Sequence, residues 1–418
     1  MKKILFILYT CCILSFPVSA QQIPSFKAND RIVFLGNSIT EGGHYHSYIW
    51  LYYMTHFPNL PLRMYNGGIG GDCVSHMVYR FDSDIKIKKP TYLICSFGMN
   101  DSGFDGYNKP GYDKYANQQV EYAHTEFEKL QRQILADKKI KSVVLLGSPP
   151  YDENVKLKGV EALHGKNETI KRIIEMQAEV AQKRGWGFVN FNTVMCGLNK
   201  QIQLSDSTAT FCGGDRIHPD KDGHMVMAYL FLKAQGLAGQ EIASFQINAT
   251  NRKAMEERNC RISHIKNEND TISFRYLSRS LPFPIDTIPR WGTKGTARDA
   301  IRQIPFMQEM NQEIMKVTDL HGIFRVTIDG IEIGCWSGDE LSKGVNLAEI
   351  TCTPQYQQSL SIMYLNEERC AIEKRLRQYM AMQYVFFKHR GLLFADNKAA
   401  LDAAKAERES HYLVKYLY

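Results

Sequence analysis

An α/β fold with a doubly wound parallel sheet is predicted for the first half of the chain, on two observations. From Arg31 to about Gln240, short apolar runs alternate with stretches of helical character. Such alternation builds a parallel sheet covered on both faces. Polar blocks follow three of the runs directly, at Gly36-Asn37-Ser38, at Asn66 to Asp72 and at Gly98 to Asp101. In open α/β sheets, sites form where the carboxyl ends of strands meet their loops, so one edge can collect all three.

The first strand is expected over Ile32–Leu35, an unbroken apolar run between Arg31 and Gly36. The second, Leu62–Tyr65, runs into a glycine-rich block. The third, Tyr92–Phe97, lies within Thr91-Tyr-Leu-Ile-Cys-Ser-Phe97, and Val143–Leu146 and Gly187–Asn190 complete the five. Helices are expected over Tyr48–His56, Val74–Phe81, Glu121–Ala136, Glu168–Lys183 and Asp222–Ala234. They supply the crossovers that parallel strands require.

After Gln240 the character changes. Residues 241 to about 270 are polar and mixed, and a loop rich in Pro and Gly, including Trp291, runs from Arg279 to Gly295. Residues 324–333 signal a hairpin, because Asp329-Gly330 tolerates the positive φ of a tight turn. Long helical stretches follow at Gln355–Lys388 and Asn397–Tyr416. The expected organisation is a leader over 1–20, an α/β domain over 21–240, and a mostly helical C-terminal extension or second domain with a hairpin over 241–418.

An apolar share of 44% with 23% charged residues is an ordinary globular balance. The net charge of +7 is spread without a long basic run or aromatic–basic interleaving, so no nucleic-acid partner is expected. Lys2-Lys3, apolar Ile4 to Leu14 and Val18-Ser19-Ala20 read as a secretory signal cleaved after Ala20. The expected location is therefore exported, periplasmic or secreted. The apolar stretch falls short of the about 20 residues that cross a bilayer, and no stable membrane span is expected.

Two of the ten cysteines, Cys11 and Cys12, sit in the leader. An even remainder in an exported protein permits disulfides, but the eight are scattered and their pairing stays open. No Cys or His spacing suggests zinc. The P-loop, dinucleotide and Gly-x-Ser-x-Gly patterns are missing. His44 and His46 lack a convincing third ligand and read as a polar site rim. Tyr107, Tyr112 and Tyr115 either stack on sugar rings or are surface aromatics. The run Tyr379 to Phe387 reads as core.

The chemistry-bearing residues are Ser38, leaving the first strand, and Asp215-Arg-Ile-His218-Pro219 far downstream. A serine hydroxyl is a weak nucleophile and needs a base within hydrogen-bond reach. Alone, each fragment reads as a helix cap or turn; together they supply a nucleophile, a base and its orienter. Two further blocks lie between them, Asn66-Gly-Gly-Ile-Gly-Gly-Asp72 and Gly98-Met-Asn100-Asp101.

The four blocks, in this order, resemble the SGNH (GDSL-type) hydrolases, a family of esterases and acylhydrolases. The resemblance implies a flavodoxin-like three-layer α/β/α domain. It implies Ser38 as nucleophile, His218 as base, Asp215 as its orienter, and an oxyanion hole from Ser38 N–H, Gly71 N–H and the Asn100 side chain. Asn37 departs from the Gly-Asp-Ser that names the family; a charge is lost while local hydrogen bonding is kept. The activity implied is that of an exported serine esterase on carboxylic, above all O-acetyl, esters of a carbohydrate, without metal or organic cofactor. An O-acetyltransferase and a non-catalytic glycan-binding protein on the same fold are the alternatives.

Overall fold

The computed structural model describes residues 22–268, 271–289 and 292–409. The expected leader, Trp291 and the part of the last helical stretch beyond Glu409 lie outside them. Five parallel strands form the main sheet: β1 (Arg31–Gly36), β2 (Arg63–Gly68), β3 (Tyr92–Phe97), β4 (Ser142–Gly147) and β5 (Gly187–Asn190). Their order is β2-β1-β3-β4-β5. All five expected strands are present; β1, β3 and β4 are buried on both faces and so read as continuous apolar runs, while β2, at the edge, and β5 are partly exposed. Ile32 and Phe34 face one core and Val33 and Leu35 the other, and Ile94 and Cys95 divide in the same way.

Helices α1 (Ser38–Gly42), α2 (His44–His56), α3 (Val74–Arg80), α4 (Tyr112–Ala136), α5 (Lys166–Arg184), α6 (Phe191–Gln203) and α7 (Lys221–Ala234) cover the two faces. The sequence does not announce α1 or α6, since each starts where a strand has just ended. Asn37 and Asn190 cap them, their side chains accepting from Ile39 N–H and Thr193 N–H. Helix α4 starts nine residues before the expected Glu121, in a stretch too polar to show a period.

The strand order reverses beside β1, whose neighbours are β2 and β3. The crevice at such a switch point lies outside the carboxyl ends. Gly36 pairs with Gly68 there, so the loops after β1, β2 and β3 open side by side. A Cβ at Gly68 would stand 2.2 Å from the Glu41 backbone nitrogen; only glycine lets these two loops approach so closely.

The second half is richer in strands than its sequence suggests. Strands β6 (Ala243–Asn248), β7 (Lys253–Arg258), β8 (Cys260–Glu268) and β9 (Thr271–Ser278) precede α8 (Ala297–Ile301) and α9 (Phe306–Met310). Then come β10 (Glu313–Thr318), β11 (Ile323–Ile328), β12 (Ile331–Ser337), α10 (Gly338–Lys343) and β13 (Val345–Asn346). A mixed sheet runs β13-β10-β6-β7, with β8–β9 and the expected β11–β12 as separate hairpins. The chain closes with α11 (Pro354–Met382) and α12 (Lys398–Glu409). Helix α11 leaves this smaller unit and lies against α2, α1 and β2. Since β2 is an edge strand, α11 takes the place a sixth strand would occupy. Among the described residues no helix is long and apolar enough to cross a membrane, and all eight cysteines are free thiols.

Candidate active site

Ser38 stands at the first position of α1, directly after β1, and is half-buried. Its Oγ lies 2.7 Å from His218 Nε2, and His218 Nδ1 lies 2.5 Å from Asp215 Oδ2. The other carboxylate oxygen, Asp215 Oδ1, accepts from the N–H groups of Ile217 and His218. Partial burial opposes ionisation of Asp215, but the hydrogen bonds and charge of His218 outweigh it and hold the pKa below the usual carboxylate range. The structure brings these three residues, singled out in the sequence, within hydrogen-bond reach of one another.

What holds Asp215 and His218 in place is Arg216. It sits at φ +70, a left-handed conformation that non-glycine residues seldom adopt. Its buried guanidinium donates to the carbonyls of Asp152, Val155 and Val160 at 3.0, 2.6 and 2.8 Å. The strain of one residue is thus offset by three hydrogen bonds, two of them buried. Nothing in the sequence marks Arg216, because its partners lie more than fifty residues away. A cavity of about 640 Å³, lined by Tyr151, Asp152, Asn167, Cys196, Lys200 and Gln203 among others, adjoins this anchor. It does not include Ser38 or His218.

Gly71 has φ +80, and a Cβ there would meet nothing within 4 Å. It needs glycine for its backbone angle, and it faces open space. Asn100 is fixed against the same turn: its Nδ2 donates to Asp72 O at 3.0 Å. An amide nitrogen carries two hydrogens, so this bond sets the orientation and leaves one donor. Asp101 is structural, accepting from Val74 N–H and Gly98 N–H at 2.7 Å each. The turn 98–103 is therefore tied to the turn 66–72 through Asn100 and to the start of α3 through Asp101.

Lys166, at the start of α5, is a residue the sequence does not single out. It is fully buried, and its Nζ donates to Met99 O, Ser102 Oγ and Gly103 O at 2.9, 2.6 and 2.5 Å. It braces the turn that carries Asn100. Burial pulls its pKa from the ordinary lysine range down to about 7, against the pull of Asp101. The unfolded chain then binds one proton more than the native state between about pH 7 and the ordinary lysine pKa, so stability rises with pH across that window. The unfolding free energy of the wild type relative to Lys166→Met should grow between pH 7.5 and 9.5, by at most about 1.4 kcal/mol per pH unit. Urea denaturation at the two pH values measures it; a flat difference would contradict the assignment.

Three expectations are corrected, two of them about the rim. His46 is buried, with Nε2 bonded to Thr40 O, and burial lowers its pKa to about 4; it packs behind the site and does not line it. Tyr107 is also buried, its hydroxyl donating to Ser102 O, and Tyr115 packs edge-on against it. Of that trio Tyr112 alone is well exposed. The run 379–387 is core on one side only: Ala381 and Tyr384 pack on Ile69 while Tyr379 and Val385 are exposed.

Comparison with known proteins bears on the family. Residues 34–226 match the model of the GDSL-like Lipase/Acylhydrolase family. Residues 360–417 match the diltiazem deacetylase C-terminal helical domain. Among solved structures, a gut microbial diltiazem-metabolizing enzyme is 48% identical, with a TM-score of 0.91 over 93% of this chain and 88% of that one. An acetylxylan esterase of Geobacillus stearothermophilus is 23% identical over 224 residues, covering 50% of this chain and 95% of the relative.

Proposed function

Since the chain belongs to the GDSL-like lipase/acylhydrolase family and is a carboxylic ester hydrolase, we propose that it removes acetyl groups by a Ser38–His218–Asp215 acyl-enzyme mechanism. The observation that carries this reading is the 2.7 Å contact of Ser38 Oγ with His218 Nε2, itself backed by Asp215. His218 takes the Ser38 proton as Oγ attacks the ester carbonyl, and Asp215 stabilises the imidazolium that forms. The oxyanion is met by Ser38 N–H, Gly71 N–H and the spare hydrogen of Asn100 Nδ2. His218 then protonates the departing alcohol, and water, activated by the same imidazole, releases acetate and restores Ser38.

The acetyl group is supported by the relatives, one a diltiazem-metabolizing enzyme and the other an acetylxylan esterase. We assign the alcohol to a carbohydrate, and the compartment to the outside of the cytoplasm on the leader-like Met1 to Ala20. The test is acetate release by the mature protein from acetylated xylan, from diltiazem and from p-nitrophenyl acetate beside the butyrate. The expected result is turnover of the acetyl esters, fluorophosphonate-sensitive, with acetate exceeding butyrate. Turnover of diltiazem without release from acetylated xylan would overturn the carbohydrate assignment. Preference for butyrate would overturn the acetyl one.

A further inference from the structure

We propose that Glu373 and Arg377 of α11 are positioning residues for the oxyanion-binding turn, which makes the C-terminal helix a working part of the hydrolase site. The inference rests on the reading of Gly71 and Asn100 as oxyanion donors.

The outer edge of β2 has no strand beside it, and its backbone groups need partners. Helix α11 provides them with two side chains. Glu373 Oε1 accepts from Asn66 N–H at 2.7 Å, and Arg377 Nε donates to Gly68 O at 2.9 Å. The spacing explains the fit. Four residues of helix rise about 6 Å, and two residues of strand advance about 6.6 Å, so positions 373 and 377 meet 66 and 68 in register. Glu373 is in turn held by Arg369 Nη1 at 2.7 Å. One turn further on, Ala381 and Tyr384 close over Ile69, which is 1% exposed.

Arg377 also reaches the inner side of the turn. Its two terminal nitrogens pair with both oxygens of Asp84 at 2.9 and 2.7 Å. Arg80 binds the same carboxylate at 2.6 Å and extends to Asp72 Oδ2, Gly67 O and Gly36 O at 2.7, 2.7 and 3.2 Å. Burial works against the Asp84 carboxylate, but the hydrogen bonds and charge of Arg377, Arg80 and Lys88 outweigh it, and it stays ionised. From α11, therefore, a continuous set of buried hydrogen bonds runs to residues on both sides of Gly71 and to the end of β1 before Ser38. Gly70 N–H donates to Glu41 Oε2 at 2.5 Å, whereas Gly71 has no side chain to steady it, so its N–H direction is set by these flanks.

An oxyanion donor acts on charge that appears only in the transition state. Loosening the turn should therefore lower kcat and leave KM almost unchanged. In Arg377→Gln we expect kcat for p-nitrophenyl acetate to fall at least about tenfold with KM within about twofold. Arg377→Lys should restore part of the loss, since an ammonium keeps a charge near Asp84 but lacks the fork that also holds Gly68 O. Glu373→Ala should lose several-fold in kcat, and Glu373→Gln, which still accepts from Asn66 N–H, much less. Inhibition by an alkylboronic acid, which forms a tetrahedral anion on Ser38, should weaken in step with kcat.

Wild-type kcat and boronate affinity in folded Arg377→Gln and Glu373→Ala would overturn the proposal. If Arg377→Gln fails to fold, Glu373→Ala decides, because Glu373 lies at the rim of the network and leaves the Asp84 pairs intact. Ser38→Ala is measured beside them. Activity retained there sinks the serine mechanism itself, whereas a dead Ser38→Ala with fully active α11 variants sinks this inference alone.

Discussion

Ser38→Ala should reduce kcat/KM for p-nitrophenyl acetate by at least about 10⁴-fold, the scale on which loss of an activated serine nucleophile is felt. The fold should not notice. The cap of α1 is the Asn37 side chain, and the hydroxyl of Ser38 bonds to His218 at the half-exposed mouth of the crevice. Removing it takes away one hydrogen bond at that mouth and opens no internal cavity, so the melting temperature should stay within a degree or two of wild type. A residual rate above the uncatalysed reaction is expected from the oxyanion donors alone. Steady-state kinetics with fluorophosphonate labelling in parallel checks both parts. Activity within tenfold of wild type, or label at another residue, would remove Ser38 from the mechanism.

Asp215→Asn is the second large effect, and its reasoning is geometric. Asp215 Oδ1 accepts from two backbone N–H groups of its own turn. An amide in this place must keep its oxygen on those donors, which turns its NH₂ toward His218 Nδ1. That nitrogen then has to accept, so the imidazole hydrogen moves to Nε2, and the base can no longer take the Ser38 proton. Where such a triad is buried, the tautomer error costs about 10⁴-fold. Here the side chains of Asp215 and His218 are 50% and 42% exposed. Water can substitute in part, and a loss of about 10²–10³-fold in kcat is expected. Burst kinetics, with KM followed separately, would show acylation slowed. An unchanged acylation rate would mean that Asp215 merely shapes the turn.

Much of this site was legible in the sequence, for reasons that also explain what was not. Strands buried on both faces leave continuous apolar runs, and a doubly wound sheet delivers the loops after β1, β2 and β3 to one edge, so Ser38, Gly71 and Asn100 could be placed together. Asp215 and His218 belong to one turn, and their spacing carries their relation. By contrast, β7 is exposed along nearly its whole length and has no alternation to betray it. His46 was misplaced because a histidine near a serine looks like a site residue until its packing on Phe34 is seen. Lys166, Arg216 and Arg377 act on backbone carbonyls 63, 61 and 309 residues away, and carbonyls leave no mark in a sequence.

The contacts of Glu373 and Arg377 with Asn66 and Gly68 also bear on the order in which this protein comes into being. Every residue from Ser38 to His218 has been synthesised long before α11 exists. At about 5–20 residues per second, the interval is on the order of ten seconds or more. Throughout it the nascent chain holds a nearly complete sheet whose glycine-rich edge has no partner. The turn beside Ser38 receives these hydrogen bonds only after Glu373 and Arg377 have been made, so a chain cut short between His218 and Glu373 carries Ser38, Asp215 and His218 and lacks both contacts.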